Sequence, residues 1–216
     1  MPIALTFDDG PDPRETVAVL DELDRLGAVA TFFVIGDRVA AYPEVAREVL
    51  ARGHAVQAHC HQHIAHPELS AAEIARDIDR LLFTLRGARL PRPSLWRPPY
   101  GRWTQSTLAA AGARGLQVVG WTLSTYDPVP TTTAEQTIAA IDAGLPRQVL
   151  HADSVVLMHD CSAISARPNN AQTVALIAPL VERVRARGWS LERLEGPVSR
   201  LRARSDDSVA LLPGVA

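Results

Sequence analysis

Four stretches of this chain carry side chains whose types and spacing suit chemistry. The first is Thr6-Phe7-Asp8-Asp9-Gly10-Pro11, two adjacent carboxylates behind a short apolar run. Neighbouring side chains on a strand point to opposite faces, and Gly-Pro breaks a strand. Asp8 and Asp9 are therefore expected at a strand-end turn, free for different tasks, although helix-capping turn aspartates would read the same from these residues alone. The second stretch, 54–66, holds five histidines in thirteen residues. His59 and His63 are four apart, which places two imidazoles on one face of a helical turn and suits two ligands of one metal. His66 falls on nearly the same face, and His61 points elsewhere. A carboxylate from another strand end would make three ligands with a position left for water, the usual catalytic zinc arrangement. The bland alternative is a histidine-rich surface turn. The third stretch is Trp96-Arg97-Pro98-Pro99-Tyr100-Gly101. Its prolines stiffen the chain, and its arginine can hold a carboxylate through paired hydrogen bonds. The fourth is the apolar run 155–158 ending in His159-Asp160, which presents an imidazole at a strand rim.

Apolar runs alternate with helical periodicity along the chain. Strands are expected at 3–7, 30–35, 55–58, 95–97, 117–121, 154–158 and 189–191. Helices fall between them: Val19, Leu20, Leu23 and Leu26 stop at Gly27, and a second helix stops near Gly53. Ser70-Ala71-Ala72-Glu73 and Thr133 to Gln136 are capping-box patterns that open two more. This alternation predicts βαβ units and a mainly parallel seven-stranded sheet, open or closed. Asp8 and Asp9 then follow the first strand, His59 the third, Arg97 the fourth and His159 the sixth, with Asp127 in the loop after the fifth. In parallel α/β folds those strand ends share one face, where active sites sit. That coincidence makes the two aspartates a candidate active site. Residues 1–195 are expected to form one domain. The polar, arginine-rich 196–216 is expected to be a partly disordered tail.

The bulk numbers exclude several classes. A net charge of −2 gives no nucleic-acid footprint. No apolar run reaches about 18 residues, so no membrane span is expected. There is no lysine, which removes Schiff-base chemistry and a lysine-bearing phosphate loop. Two cysteines, Cys60 and Cys161, make no disulfide framework, and a reducing compartment is the simpler reading. No basic region followed by an apolar stretch opens the chain, so a cytoplasmic protein is expected.

Taken in order, TFDDGP at 6–11, ATFFVIG at 30–36, the His59/His63 pair, RPPYG at 97–101 and His159-Asp160 resemble the polysaccharide deacetylases. These are the NodB-homology enzymes of carbohydrate esterase family 4, and the likeness spans about residues 2–192. The resemblance implies an α/β fold, a distorted (β/α)7 barrel forming a single NodB-homology domain. It implies metal-dependent removal of N-acetyl groups from an amino sugar, with an N-acetylated sugar or glycan as partner; the ligand set makes Zn2+ the default ion, and other divalent ions also fit Asp-His-His. It matches Asp8 to the catalytic base, Asp9, His59 and His63 to the metal ligands, and Arg97 to the arginine that orients the base. The Tyr100 backbone N–H matches an oxyanion donor and His159 the general acid.

The sequence also departs from the family pattern. Cys60 stands where Ser or Thr usually follows the first histidine. Ile64-Ala65-His66-Pro67 replaces the proline that often follows the second, which leaves His66 as an alternative ligand to His63. Ser124 stands where an aspartate orients the catalytic histidine, and Asp127 is a candidate substitute. Pro128 replaces a tryptophan that often walls the acetyl pocket, and Met158 replaces leucine. These departures keep two further readings open: a hydrolase of other C–N bonds on this fold, and a metal-retaining sugar-binding module with weak catalysis.

Overall fold

The computed structural model describes residues 1–195. The expected tail at 196–216 lies outside them. The chain runs β1 (Pro2–Asp8), α1 (Glu15–Leu26), β2 (Thr31–Ile35), α2 (Gly36–Ala41), α3 (Pro43–Ala51), β3 (Ala55–Cys60), α4 (Ala71–Gly87) and β4 (Leu95–Trp96). It continues through α5 (Gln105–Gly112), β5 (Gln117–Val118), β6 (Leu123–Ser124), α6 (Ala134–Asp142), β7 (Val155–His159), α7 (Ala171–Ala186) and β8 (Ser190–Leu191).

Every strand pairing is parallel. The order is β5-β4-β3-β2-β1-β7-β6, with β8 attached to the start of β1. This is the expected α/β architecture, a curled parallel sheet of the distorted (β/α)7 kind. Among the described residues no ladder joins β5 to β6, so the barrel is open there. The seventh strand of the path is β6, which periodicity does not reveal because Leu123 is its one apolar residue, flanked by Thr122, Ser124 and Thr125. The strand expected at 189–191 is β8, a short addition beside β1. The short helix α2 was also not legible from periodicity.

The central strands are buried on both faces, as near-continuous apolar runs should be. Ile3, Leu5 and Phe7 of β1 and Phe32 and Val34 of β2 pack with Val19, Leu20 and Leu23 of α1. Leu176, Ile177, Leu180, Val181 and Val184 of α7 complete that layer. Full burial of one such side chain contributes roughly 1.5–3 kcal/mol. Both expected capping boxes form, Ser70 with Glu73 and Thr133 with Gln136, and each fixes where its helix begins. Gly27 ends α1 at φ 55°, a left-handed cap that glycine adopts at no steric cost. Register then does the positioning: Asp8 lies opposite Phe33 on one side and His159 on the other.

Candidate active site

Asp8 is the last residue of β1, and its carboxylate meets Arg97 Nη1 at 2.6 Å. Arg97 is fully buried. It also donates to Thr6 Oγ1 at 3.0 Å and to the Gly120 carbonyl at 3.0 Å, and its guanidinium lies 4.1 Å over the Phe33 ring. Burial pulls its pKa down while Asp8 pulls it up, and the pair is held in one geometry. Removing one member of such a buried pair typically costs about 3–5 kcal/mol, because the other charge is stranded.

Asp9 turns away from Asp8 through a positive φ of 82°, a conformation costly for a residue with a Cβ. Its Oδ1 faces His59 Nε2 at 3.4 Å and His63 Nε2 at 3.6 Å. Two donors about 2.0–2.1 Å from a tetrahedral zinc are about 3.4 Å apart, so these spacings suit one ion. Asp9, His59 and His63 form the one such group among the described residues, with ligand atoms within 4.8 Å of one another. Asp9 Oδ1 is buried without a hydrogen-bond partner, as expected of an atom whose partner is a cation. His59 Nδ1 donates to the Arg97 carbonyl at 2.6 Å, which leaves Nε2 for the metal.

The electrostatics of the three side chains fit a candidate cation site. Burial raises the Asp9 carboxyl, but His59 beside it and the charges of His159 and His63 hold it below its ordinary value. Burial, together with the charge of His59, lowers His63 to about 4 and keeps it neutral. For His59, burial is outweighed by the Asp9 and Asp8 carboxylates, and its pKa rises.

The local geometry differs from the helical turn expected around the histidines. His59 lies on β3, and His63 follows in a loop with no helix between them. Asp77 of α4 shapes that loop by accepting the His61 and Gln62 backbone N–H groups, each at 2.8 Å. His66 is not on the same face. It is buried against Trp96, with ring centroids 5.0 Å apart and Nδ1 3.3 Å from Thr107 Oγ1. Tyr100 sits at φ 58° in a short turn, half exposed, with its ring centroid 4.4 Å from that of His63 in an edge-on arrangement.

His159 ends β7. Its backbone N–H donates to Asp127 Oδ2 at 2.8 Å and its Nδ1 to Asp127 Oδ1 at 3.0 Å. Thr125 and Thr173 hydroxyls complete the shell around that carboxylate, at 2.7 and 2.6 Å. Ser124 does not take part; its hydroxyl accepts the Tyr126 N–H at 3.3 Å. Burial would lower His159, but the charge and hydrogen bond of Asp127, with Asp9 and Asp8 beyond, raise it to about 10. A cation on Asp9 would offset part of that pull.

Asp160 was visible in the sequence only as the neighbour of His159. Burial pushes it up to about 7, against the Thr16 hydroxyl and Gly10 N–H that it accepts. Nothing in the sequence marks Asp77 or Thr173, which act from the distant helices α4 and α7. Both cysteines are buried and free, and burial raises both thiols, Cys161 to about 12. No described helix is long and apolar enough to cross a membrane.

The comparisons with known proteins agree with this geometry. The family profile described as "Polysaccharide deacetylase" matches residues 1–119. The chain belongs to the polysaccharide deacetylase family. A chitooligosaccharide deacetylase of Bradyrhizobium sp. (strain ANU 289) is 35% identical over 208 residues, covering 89% of this chain and 88% of that one. A peptidoglycan-N-acetylglucosamine deacetylase of Bacillus cereus is 32% identical over 188 residues, 87% of this chain and 83% of that one. A family 4 carbohydrate esterase from Streptomyces lividans, solved in complex with acetate, superimposes with a TM-score of 0.78. It shares 27% identity, over 89% of this chain and 92% of that one. As a family member with the Asp-His-His set, this polysaccharide deacetylase is a metal-dependent hydrolase.

Proposed function

We propose that the protein removes N-acetyl groups from an amino-sugar-containing substrate, with zinc on Asp9, His59 and His63. The observation that carries this reading is the convergence of three groups on neighbouring strand ends. Asp8 and His159 stand opposite each other in the β1–β7 register, and the Asp9-His59-His63 cluster lies alongside. Zinc is favoured over other divalent ions by two imidazoles and one carboxylate. When bound, such an ion polarises the acetyl carbonyl and acidifies water.

The chain's own residues supply the remaining work. Arg97 holds Asp8 in place through its 2.6 Å contact, so that Asp8 is aimed to take the proton of the attacking water. The Tyr100 backbone N–H is the proposed donor to the developing oxyanion, a contact typically worth about 3 kcal/mol. His159, kept protonated by Asp127, hands a proton to the departing nitrogen. An amine leaves poorly without that proton, so an ionised base and a charged acid must coexist, and a bell-shaped pH profile follows.

The binding-module reading rested on Ser124, and Asp127 supplies the partner that Ser124 does not. The name of the Streptomyces lividans esterase favours a second reading, an O-acetyl carbohydrate ester as substrate. Acetate release separates them. Zinc-loaded protein is expected to release acetate from N-acetylglucosamine oligomers, and to lose that activity on chelation. Release from O-acetyl sugars alone, or from plain amides alone, would overturn the proposal.

A further inference from the structure

The turn that carries Asp9 is gripped by one buried side chain that the proposed chemistry does not use. Asp160 is 1% exposed and follows His159 directly. Its Oδ1 accepts the Gly10 backbone N–H at 3.0 Å, and its Oδ2 accepts the Thr16 hydroxyl at 2.6 Å. Thr16 Oγ1 in turn accepts the Asp12 N–H at 2.8 Å. The Asp160 backbone N–H donates to the Asp8 carbonyl at 3.1 Å, so residue 160 touches the turn on both sides of Asp9. The fit is close. A Cβ on Gly10 would lie 2.0 Å from Asp160 Oδ2, so glycine is required where the carboxylate presses against the chain.

The Gly10 N–H belongs to the same rigid peptide plane as the Asp9 carbonyl. Holding that N–H therefore fixes the backbone on the C-terminal side of Asp9, whose φ of 82° is one a residue with a Cβ adopts only when its surroundings impose it. The Gly10 carbonyl accepts the Ile35 N–H at 2.9 Å, which ties the far side of the residue to β2. What remains to be fixed is the plane between Asp9 and Gly10, and Asp160 holds it.

We infer that Asp160 is a positioning residue for the metal site: by holding the Gly10 N–H it keeps Asp9 in its left-handed conformation and sets the site's affinity for zinc. This rests on the reading of Asp9, His59 and His63 as ligands. It goes beyond that reading by placing control of a ligand in the residue next to the general acid.

The test is zinc affinity of the purified apoprotein, by competition with a chromophoric chelator, beside thermal melting. The wild type is expected to bind about one zinc per chain; no binding would sink the ligand reading itself, separately from this inference. Asp160→Ala is expected to bind zinc at least tenfold more weakly. Asp160→Asn is expected within about threefold of wild type, because its amide oxygen still accepts from Gly10 and its NH2 can donate to Thr16 Oγ1. If Asp160 only staples the fold, Asp160→Ala melts lower yet binds zinc like the wild type, and the inference fails. Equal weakening in Asp160→Asn and Asp160→Ala would also overturn it, since it would tie affinity to charge rather than to the bond from Gly10. Should Asp160→Ala not fold, Thr16→Val decides: it frees one side of the carboxylate and is expected to weaken zinc three- to tenfold, against no change if the contact is structural only.

Discussion

The two halves of the site are built differently. Asp8, Asp9, His59 and Arg97 stand on or directly beyond β1, β3 and β4, and the ladders of the central sheet fix where each begins. Their supports are mostly mutual: Arg97 holds Asp8 with its side chain and His59 with its carbonyl. His159 is on a strand too, but its orientation depends on Asp127, a loop residue past the two-residue strand β6. Asp127 is itself held by Thr125 and by Thr173 on the distant α7. The proposed base-and-metal half is thus anchored at strand ends and tied by a few direct contacts, and the proposed acid half by a longer chain of side-chain contacts. A strand-anchored group should lose function all at once when changed, whereas a long side-chain network should lose it in graded steps.

The largest effect is expected at Asp8. Asp8→Asn removes the proposed base while leaving a near-isosteric side chain beside Arg97. Turnover is expected to fall about 10²–10⁴-fold, with zinc still bound at wild-type stoichiometry. Single-turnover acetate release and metal analysis on the same sample check this. A fully active variant would break the division of labour between Asp8 and Asp9.

His63 and His66 give the sharpest contrast within the histidine-rich stretch. His63→Ala is expected to weaken zinc by more than about 100-fold, since even outer-shell changes cost 10–100-fold. His66→Ala should leave zinc affinity unchanged and lower the melting temperature instead, because His66 packs on Trp96. The reverse result would make His66 the ligand. Zinc affinity should also rise with pH. A ligating imidazole must be neutral, and the Asp9 and Asp8 carboxylates, which raise the His59 pKa, strengthen the competition between proton and ion at that ring.

These contrasts match what could be read without coordinates. TFDDGP and RPPYG lie at the ends of strands with strong apolar patterns, so their placement on one rim followed from topology. The His59/His63 spacing pointed to a metal for a partly wrong reason. The two rings converge across a strand-end loop held by Asp77, and not along a helical turn. His66 shows the consequence, because a helical periodicity put it on the ligand face and the loop carries it away. The acid half was the least legible. β6 has one apolar residue, Leu123, among hydroxyl-bearing neighbours and leaves no periodic signal, and Thr173 reaches Asp127 from 46 positions along the chain, a contact that only the tertiary fold creates. Asp160 was equally silent, because its partners are a backbone N–H and one hydroxyl.

Asp127→Asn probes that half. Losing the carboxylate charge lowers the His159 pKa, since Asp127 is the largest of the influences that raise it to about 10. The sign follows directly. As the proposed acid, His159 must be protonated to act, so activity is expected to be lost as pH rises through its pKa, and a lower pKa moves the alkaline limb of kcat/KM to lower pH. Turnover at neutral pH should drop about 10–100-fold, with the acid limb and the zinc affinity unchanged. Thr173→Val should shift the same limb in the same direction by less. An unmoved alkaline limb in Asp127→Asn would mean that His159 is steadied by something else.

The smallest effect is expected at Ser124, where the resemblance places the histidine-orienting aspartate. Its hydroxyl only accepts the Tyr126 N–H, at the long distance of 3.3 Å, and its backbone pairs with Leu157. Ser124→Ala keeps that pairing and should change kcat/KM by less than about twofold, with both pH limbs in place, because one weak hydrogen bond outside the His159 network contributes at most about 0.5–1.5 kcal/mol to stability and nothing to the acid. A shift of the alkaline limb in Ser124→Ala would show that the Ser124 hydroxyl also acts on His159, and would add β6 to the side-chain network around Asp127.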